Sequence, residues 1–211
     1  MKRKIVVIQH TQSEHHLNGM VGSTADWPLS AQGLRQAEMV AKNLYQAFKD
    51  TQPVLYTSDL KRARQTAQPI AHLWGITPVE VPALKERHLG RCVGQSVQWL
   101  RAHQENEEHT IDDRLFSDAE SRRDVYKRLN TFYASLAQSD DPFVIIVSHG
   151  DAISVFMTLW LGIPVESLNS AQLFGQAGGV SVLLEDERGK KTIQTFNDRS
   201  YLNTKPLKSH A

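Results

Sequence analysis

Cysteine is almost absent: the 211-residue chain has one, Cys92. A single thiol excludes an internal disulfide framework and a cysteine-based zinc site. An excess of one charge is missing too. Twenty-four Lys and Arg stand against 23 Asp and Glu, a formal net charge of +1. Nucleic-acid proteins and polybasic membrane binders need a cationic surplus that this balance does not supply. No apolar run approaches the roughly 20 residues that cross a bilayer. The basic start, Met1-Lys2-Arg3-Lys4, leads into Ile5-Val6-Val7-Ile8, which Gln9-His10 ends; that run is too short for a signal-peptide core. No internal repeat, low-complexity tract or clear linker is visible. The expectation is a cytoplasmic protein without nucleic-acid or membrane partners.

What is present is the composition of a folded domain, 40% apolar and 22% charged. At about 150 residues per domain, residues 1–211 read as one domain able to bury its own core. Histidine is the unusual entry, with nine residues.

Ile5–Ile8 and Phe143–Val147 are unbroken β-branched or aromatic apolar runs, which suit strands buried on both faces of a parallel sheet. Val54-Leu55-Tyr56 is a shorter candidate. Val180–Leu184 and Thr192–Phe196, around Gly189, read as a late hairpin or edge pair. Helical stripes lie between them: Leu34, Ala37, Ala41, Leu44 and Phe48, with Ser30 as N-cap; Leu60, Ala63, Ala67, Ile70 and Trp74, ending at Gly75; Val125, Leu129, Phe132 and Leu136; and Ile153–Leu161, closed by Gly162 and Pro164. Pro69 should kink or interrupt the second. This order of elements is that of an α/β fold, a three-layer α/β/α sandwich with a mostly parallel central sheet. The polar stretch from Arg87 to Asp118 is the least regular and reads as an insertion or lid over one end of the sheet. The tail after Leu202, with Lys205-Pro206 and Lys208, is expected to be loose.

Two histidines occupy equivalent places. His10 follows the strand Ile5–Ile8 after one residue, and His149, followed by Gly150, does the same after Phe143–Val147. Ligands of open parallel sheets bind outside the carboxyl ends of the strands, so two imidazoles would meet in one crevice. Arg62 opens the helix after Val54–Tyr56, where a guanidinium fork can hold a phosphate; the alternative for Lys61-Arg62-x-Arg64 is a solvated basic face. Ser58, one turn earlier, is placed to cap that helix.

These segments resemble the histidine phosphatase superfamily, the phosphoglycerate-mutase-like proteins. The family opens with Arg-His-Gly-Glu/Gln-Thr/Ser after its first strand; here stands Gln9-His10-Thr11-Gln12-Ser13. Asp26-x-Pro28-Leu29-Ser30-x-x-Gly33-x-x-Gln36-Ala37 and Ser58-x-Leu60-x-Arg62-Ala63-x-Gln65-Thr66-Ala67 match its next two motifs. Leu84–Gly90 resembles its acid motif, and Ala119-Glu120-Ser121 its Gly-Glu-Ser helix start. Val147–Gly150 resembles its second histidine motif and Asn197–Leu202 its terminal segment. The likeness runs nearly end to end, in the family's order.

The resemblance implies a phosphatase, metal-independent and without cofactor, acting on a small phosphorylated metabolite. His10 would form a phosphohistidine, since a neutral imidazole is nucleophilic without a separate base. Arg62 and His149 would hold the phosphoryl oxygens. Glu86 would act as general acid and then base, which calls for a raised pKa; without the family pattern it reads as a surface carboxylate. Gln9, Thr11, Ser13, Arg87, His88 and Gly150 would contact substrate. A homodimer is compatible with the chain.

The departures are informative. Gln9 replaces the family's first phosphate-binding arginine with a neutral amide. A charged hydrogen bond is worth about 1.5–3 kcal/mol against about 1 for a neutral one, so uncompensated loss predicts a drop of roughly ten- to a few hundred-fold. Thr11 adds bulk where the family has glycine. His15-His16 stand where many members have Trp-Asn, and Met20 near a frequent arginine. Lys61, Arg64, His15, His16, Arg87 and His88 are the residues able to restore charge. Two other readings compete with the phosphatase. Glu86-Arg87-His88-x-Gly90 resembles a mutase motif, but Leu89 replaces its tyrosine and the following insertion is shorter. A non-catalytic phosphate-binding or interaction module would have no chemical reason to keep His10, Arg62, Glu86 and His149 together. A metal enzyme is not expected: no His-Glu-x-x-His motif occurs, and His15 and His16 on a helix would diverge by about 100°.

Overall fold

A computed structural model describes residues 1–203. The tail expected to be loose lies, from residue 204 on, outside the described residues. Six strands form one sheet: β1 (Arg3–Gln9), β2 (Val54–Thr57), β3 (Val79–Glu80), β4 (Phe143–Ser148), β5 (Val180–Glu185) and β6 (Lys191–Asp198). Their spatial order is β3-β2-β4-β1-β5-β6. The pairings β2–β3, β2–β4 and β1–β4 are parallel; β5 runs antiparallel to both β1 and β6. The helices are α1 (His15–Asn18), α2 (Ala31–Phe48), α3 (Lys61–Trp74), α4 (Val97–His103), α5 (Arg122–Gln138) and α6 (Gly150–Leu161).

The unbroken apolar runs are buried on both faces because each face has its own helical layer. Ile5 and Val7 of β1 join Val144 and Ile146 of β4 against α5 and α6. Val6 and Ile8, with Ile145 and Val147, face α2 and α3. This alternation is the period-two geometry of a strand and defines the expected three layers. In α5, Val125, Leu129, Phe132 and Leu136 are buried as their spacing predicts, behind a Ser121–Asp124 capping box. In α6, Ala152–Trp160 are buried on every side, so no polar stripe is expected there. Among the described residues, no helix is long and apolar enough to cross a membrane.

Two local expectations change. Helix α3 continues through Pro69; Pro69 and Gln65, whose carbonyl loses its partner, both lie on its partly exposed side. Leu34 is 46% exposed, and the buried stripe of α2 runs through Gly33, Ala37, Val40, Ala41 and Leu44. Ser30 does cap α2, accepting from the Gly33 N–H at 3.0 Å.

The segment 87–118 is more ordered than its polarity suggests. It carries α4 and a small core of its own, in which Cys92 and Phe116 pack with Val21 and Ala119. It joins the loop after α1 through Val21 N–H to Gln95 O (2.9 Å) and Val97 N–H to Gly19 O (2.8 Å).

Candidate active site

Strand register brings the two histidines together. Gln9 pairs with Ser148 across the parallel β1–β4 ladder, so the next residue of each strand leaves the sheet beside the other. The His10 N–H still donates to Ser148 O at 3.0 Å. The two rings lie 5.0 Å apart, centroid to centroid.

A carbonyl partner sets the tautomer of the first ring. His10 Nδ1 is 2.8 Å from the Thr11 carbonyl, which can only accept, so Nδ1 carries the proton. The Nε2 lone pair then faces Arg62 Nε at 3.2 Å. Ser58 Oγ accepts from the Leu60 N–H and lies 2.9 Å from His149 Nε2. His149 Nδ1 is buried and has no partner among the described residues. Burial first, then the Arg62 charge, hold both imidazoles well below the usual histidine range. His10 thus presents a lone pair, and His149 a ring nitrogen free of partners among those residues. Ser58 serves His149 and the Leu60 N–H; it does not cap α3, whose N-cap is Leu60. Asp26 performs the capping instead, accepting from the Lys61 N–H at 2.5 Å.

Arg62 is 1% exposed. Its Nη1 donates to Ala25 O at 2.7 Å and its Nη2 to Ser23 O at 2.6 Å. Neutral carbonyls orient the guanidinium without cancelling it. Burial pushes its pKa down to about 10, so it stays cationic.

Glu86 follows a 3₁₀ turn at Pro82–Leu84 and sits at the start of α6. Its carboxyl accepts from the N–H groups of Arg87 (3.0 Å), Ala152 (3.2 Å) and Asp151 (3.3 Å). Burial and the Asp151 carboxylate raise its pKa, against those N–H groups and Arg62. Its backbone is held by Arg128 of α5, which donates to Ala83 O, Lys85 O and Glu86 O at 2.6, 2.9 and 3.1 Å. Arg128 and Asp26 were not foreseen as supports of the site; a half-buried guanidinium shared between Glu120 and three carbonyls leaves no clear signature in sequence.

Gln9 lies beside the hollow. A Cβ on Gly150 would stand 3.5 Å from its Nε2 and 3.8 Å from Glu86 Oε2, and one on Gly175 would stand 2.9 Å from its Oε1. Gly150 is thus flanked by both side chains. Thr11 turns away from the hollow: its Oγ1 donates to Gly33 O at 2.8 Å, and its N–H to Thr66 Oγ1 at 3.2 Å. Ser13 Oγ donates to Pro28 O at 2.8 Å. His88 Nδ1 is 2.7 Å from Thr24 Oγ1. Arg87 is enclosed by Glu108 and Asp151. These four side chains are engaged with other protein groups, whereas His10, Arg62, Glu86 and His149, though also held, converge on one another.

Of the residues able to restore charge, Lys61 and Arg64 are exposed, and Arg64 faces Glu80. His15 and His16 lie closest to His10, with ring centroids 5.9 and 5.6 Å away. They do not diverge as an ideal helix predicts; their rings are 4.0 Å apart. Ser13 gathers both, His15 Nδ1 at its hydroxyl (3.0 Å) and His16 Nδ1 at its N–H (3.1 Å). One ligand atom each from His10, His15 and His16 falls within 4.8 Å of the others, a spacing that a metal could exploit. The donor set fits a metal poorly. His10 Nε2 faces a guanidinium, and the His16 Nδ1 lone pair is taken by a backbone N–H, which leaves its other nitrogen protonated.

A lone-pair imidazole, a buried guanidinium, a second buried imidazole and a buried carboxyl of raised pKa, gathered at the carboxyl ends of β1 and β4, define a site for phosphoryl chemistry through histidine. The sequence profile of the histidine phosphatase superfamily (branch 1) matches residues 5–199, and the chain belongs to that superfamily, whose members include phosphatases and mutases. It is 30% identical over 211 residues to a metal-independent phosphoserine phosphatase of Arabidopsis thaliana, covering 95% of this chain and 84% of that one. It is 28% identical to a 2,3-bisphosphoglycerate-dependent phosphoglycerate mutase of Bartonella henselae, over 98% of each chain. Its fold is that of a mycobacterial glucosyl-3-phosphoglycerate phosphatase solved with inorganic phosphate: TM-score 0.78, 23% identity, 94% of this chain and 99% of that one.

Proposed function

We propose that the protein is a phosphatase that hydrolyses a small phosphomonoester through a phosphohistidine on His10. The observation that carries this reading is the His10 ring, with its proton fixed on Nδ1 by Thr11 and its Nε2 lone pair beside the Arg62 guanidinium. In the first step that lone pair attacks phosphorus. The P–O bond to the alcohol breaks, and the departing oxygen takes the proton of Glu86. In the second, Glu86 removes a proton from water, whose oxygen attacks phosphorus as the N–P bond breaks. Phosphate and free His10 result. Arg62 and His149 stabilise the equatorial oxygens in both steps.

The engagement of Arg87 with Glu108 and Asp151 favours hydrolysis over mutase action, since a mutase of this motif would need that arginine for its substrate. Convergence of all four reactive groups favours catalysis over a passive phosphate-binding module. The reaction proposed needs no metal, as the name of the Arabidopsis relative states for that enzyme. A cytoplasmic location suits a small phosphorylated metabolite as substrate. The test is a panel of phosphomonoesters with and without EDTA. Phosphate release that survives EDTA is expected. Interconversion of 2- and 3-phosphoglycerate without release identifies a mutase, and silence with phosphate bound identifies the passive module.

A further inference from the structure

Buried Arg87 and partly exposed Asp151 form an ion pair that the proposed reaction leaves unused. Arg87 is 5% exposed. Its Nη2 donates to Glu108 Oε2 at 3.0 Å, and its Nε lies 3.0 Å from Asp151 Oδ2. Gln172 holds the other side of Asp151, donating to Oδ1 at 3.1 Å, and Arg122 stands 3.9 Å from the same oxygen. The backbone N–H of Asp151 reaches Glu86 Oε2. The carboxylate is therefore anchored at the first turn of α6, next to the group that must deliver a proton.

The surroundings of Glu86 pull in two directions. Three backbone N–H groups and Arg62 of α3 favour the carboxylate. Burial and the negative charge of Asp151 favour the acid. Arg87 adds a positive charge that Glu86 feels directly, partly offset by Glu108 and Asp151. Of the other groups facing this corner, Arg128 of α5 bonds the backbone carbonyl of Glu86, Gln9 of β1 is neutral, and His149 at the cap of α6 is neutral. Without the charge of Asp151, the N–H groups and Arg62 would act against burial alone.

We propose that Asp151 is a positioning residue whose carboxylate, fixed by Arg87 and Gln172 at the start of α6, keeps on Glu86 the proton that the leaving alcohol takes. Arg87 then acts on Asp151, tempering its charge, and not on substrate. This inference rests on the reading of Glu86 as the proton donor. Carbon-13 NMR of the Glu86 carboxyl, assigned with Glu86→Gln, tests it without turnover. Asp151→Asn should lower the titration midpoint by about one pH unit. Arg87→Met, which bares Asp151, should raise it. Opposite shifts are not the result of general damage. Turnover adds a second readout: Asp151→Asn should lose activity at neutral pH on an alkyl phosphate and little on p-nitrophenyl phosphate, whose leaving group needs no proton. A midpoint unmoved by Asp151→Asn, or moved the same way by Arg87→Met, overturns the proposal. Unimpaired alkyl phosphate turnover by Glu86→Gln overturns instead the reading on which it rests.

Discussion

Arg62 and Arg87 are both buried guanidinium groups within one site, and they do opposite things. Arg62 rests on the carbonyls of Ser23 and Ala25, which orient it and leave its charge to act on His10 and on a phosphoryl group. Arg87 rests on the carboxylates of Glu108 and Asp151, which consume its charge. Burial alone does not say whether an arginine binds an anion; the charge of its partners does.

Five experiments would break or sharpen this contrast. The largest effect is expected from His10→Ala, which should abolish turnover and the acid-labile phosphoenzyme; a variant with normal turnover would remove the group that Arg62 is said to serve. Next is Arg62→Met, with a loss of kcat/KM of about 10²–10³, the usual cost of one oxyanion donor. Arg87→Met should cost less than tenfold in KM, and equal losses for the two would erase the distinction. Gln9→Arg should raise kcat/KM about tenfold, as one restored charge-assisted hydrogen bond would. A fall would mean that the pocket beside Gly150 and Gly175 needs an amide. The smallest effect concerns stability. Burial, with His16 and Arg62, lowers the pKa of His15 to about 3. The unfolded chain therefore takes up this proton first, and the stabilisation held above about pH 6.5 is lost as pH falls toward 3. His15→Ala should flatten the acid slope of urea stability by at most about 1.4 kcal/mol per pH unit, and an unchanged slope would show that His15 titrates normally in the fold.

The sheet and the paired histidines were legible because their signals are local. β1 and β4 are unbroken apolar runs, and each ends one residue before its histidine. Arg62, Glu86 and the family resemblance were legible as ordered motifs. What stayed hidden depends on contacts between distant segments. β3 has two exposed residues and no pattern of its own. The core around Cys92 and Phe116 is built from a stretch that reads as polar. Helix α1 is a single turn, too short to impose ideal side-chain directions, so Ser13 could draw both histidines together. The fate of Arg87 depended on Glu108 and Asp151, which lie far apart in the chain.

The pairing of Gln9 with Ser148 has a consequence for heat and denaturant. Both nucleophile and partner imidazole emerge from interior strands: β4 lies between β2 and β1, and β1 between β4 and β5. Fraying begins at outer strands, here β3 and β6, and leaves the spacing of the two rings untouched. The reactive geometry is thus insured by the most protected hydrogen bonds of the molecule, and its disappearance should coincide with melting of the whole sheet.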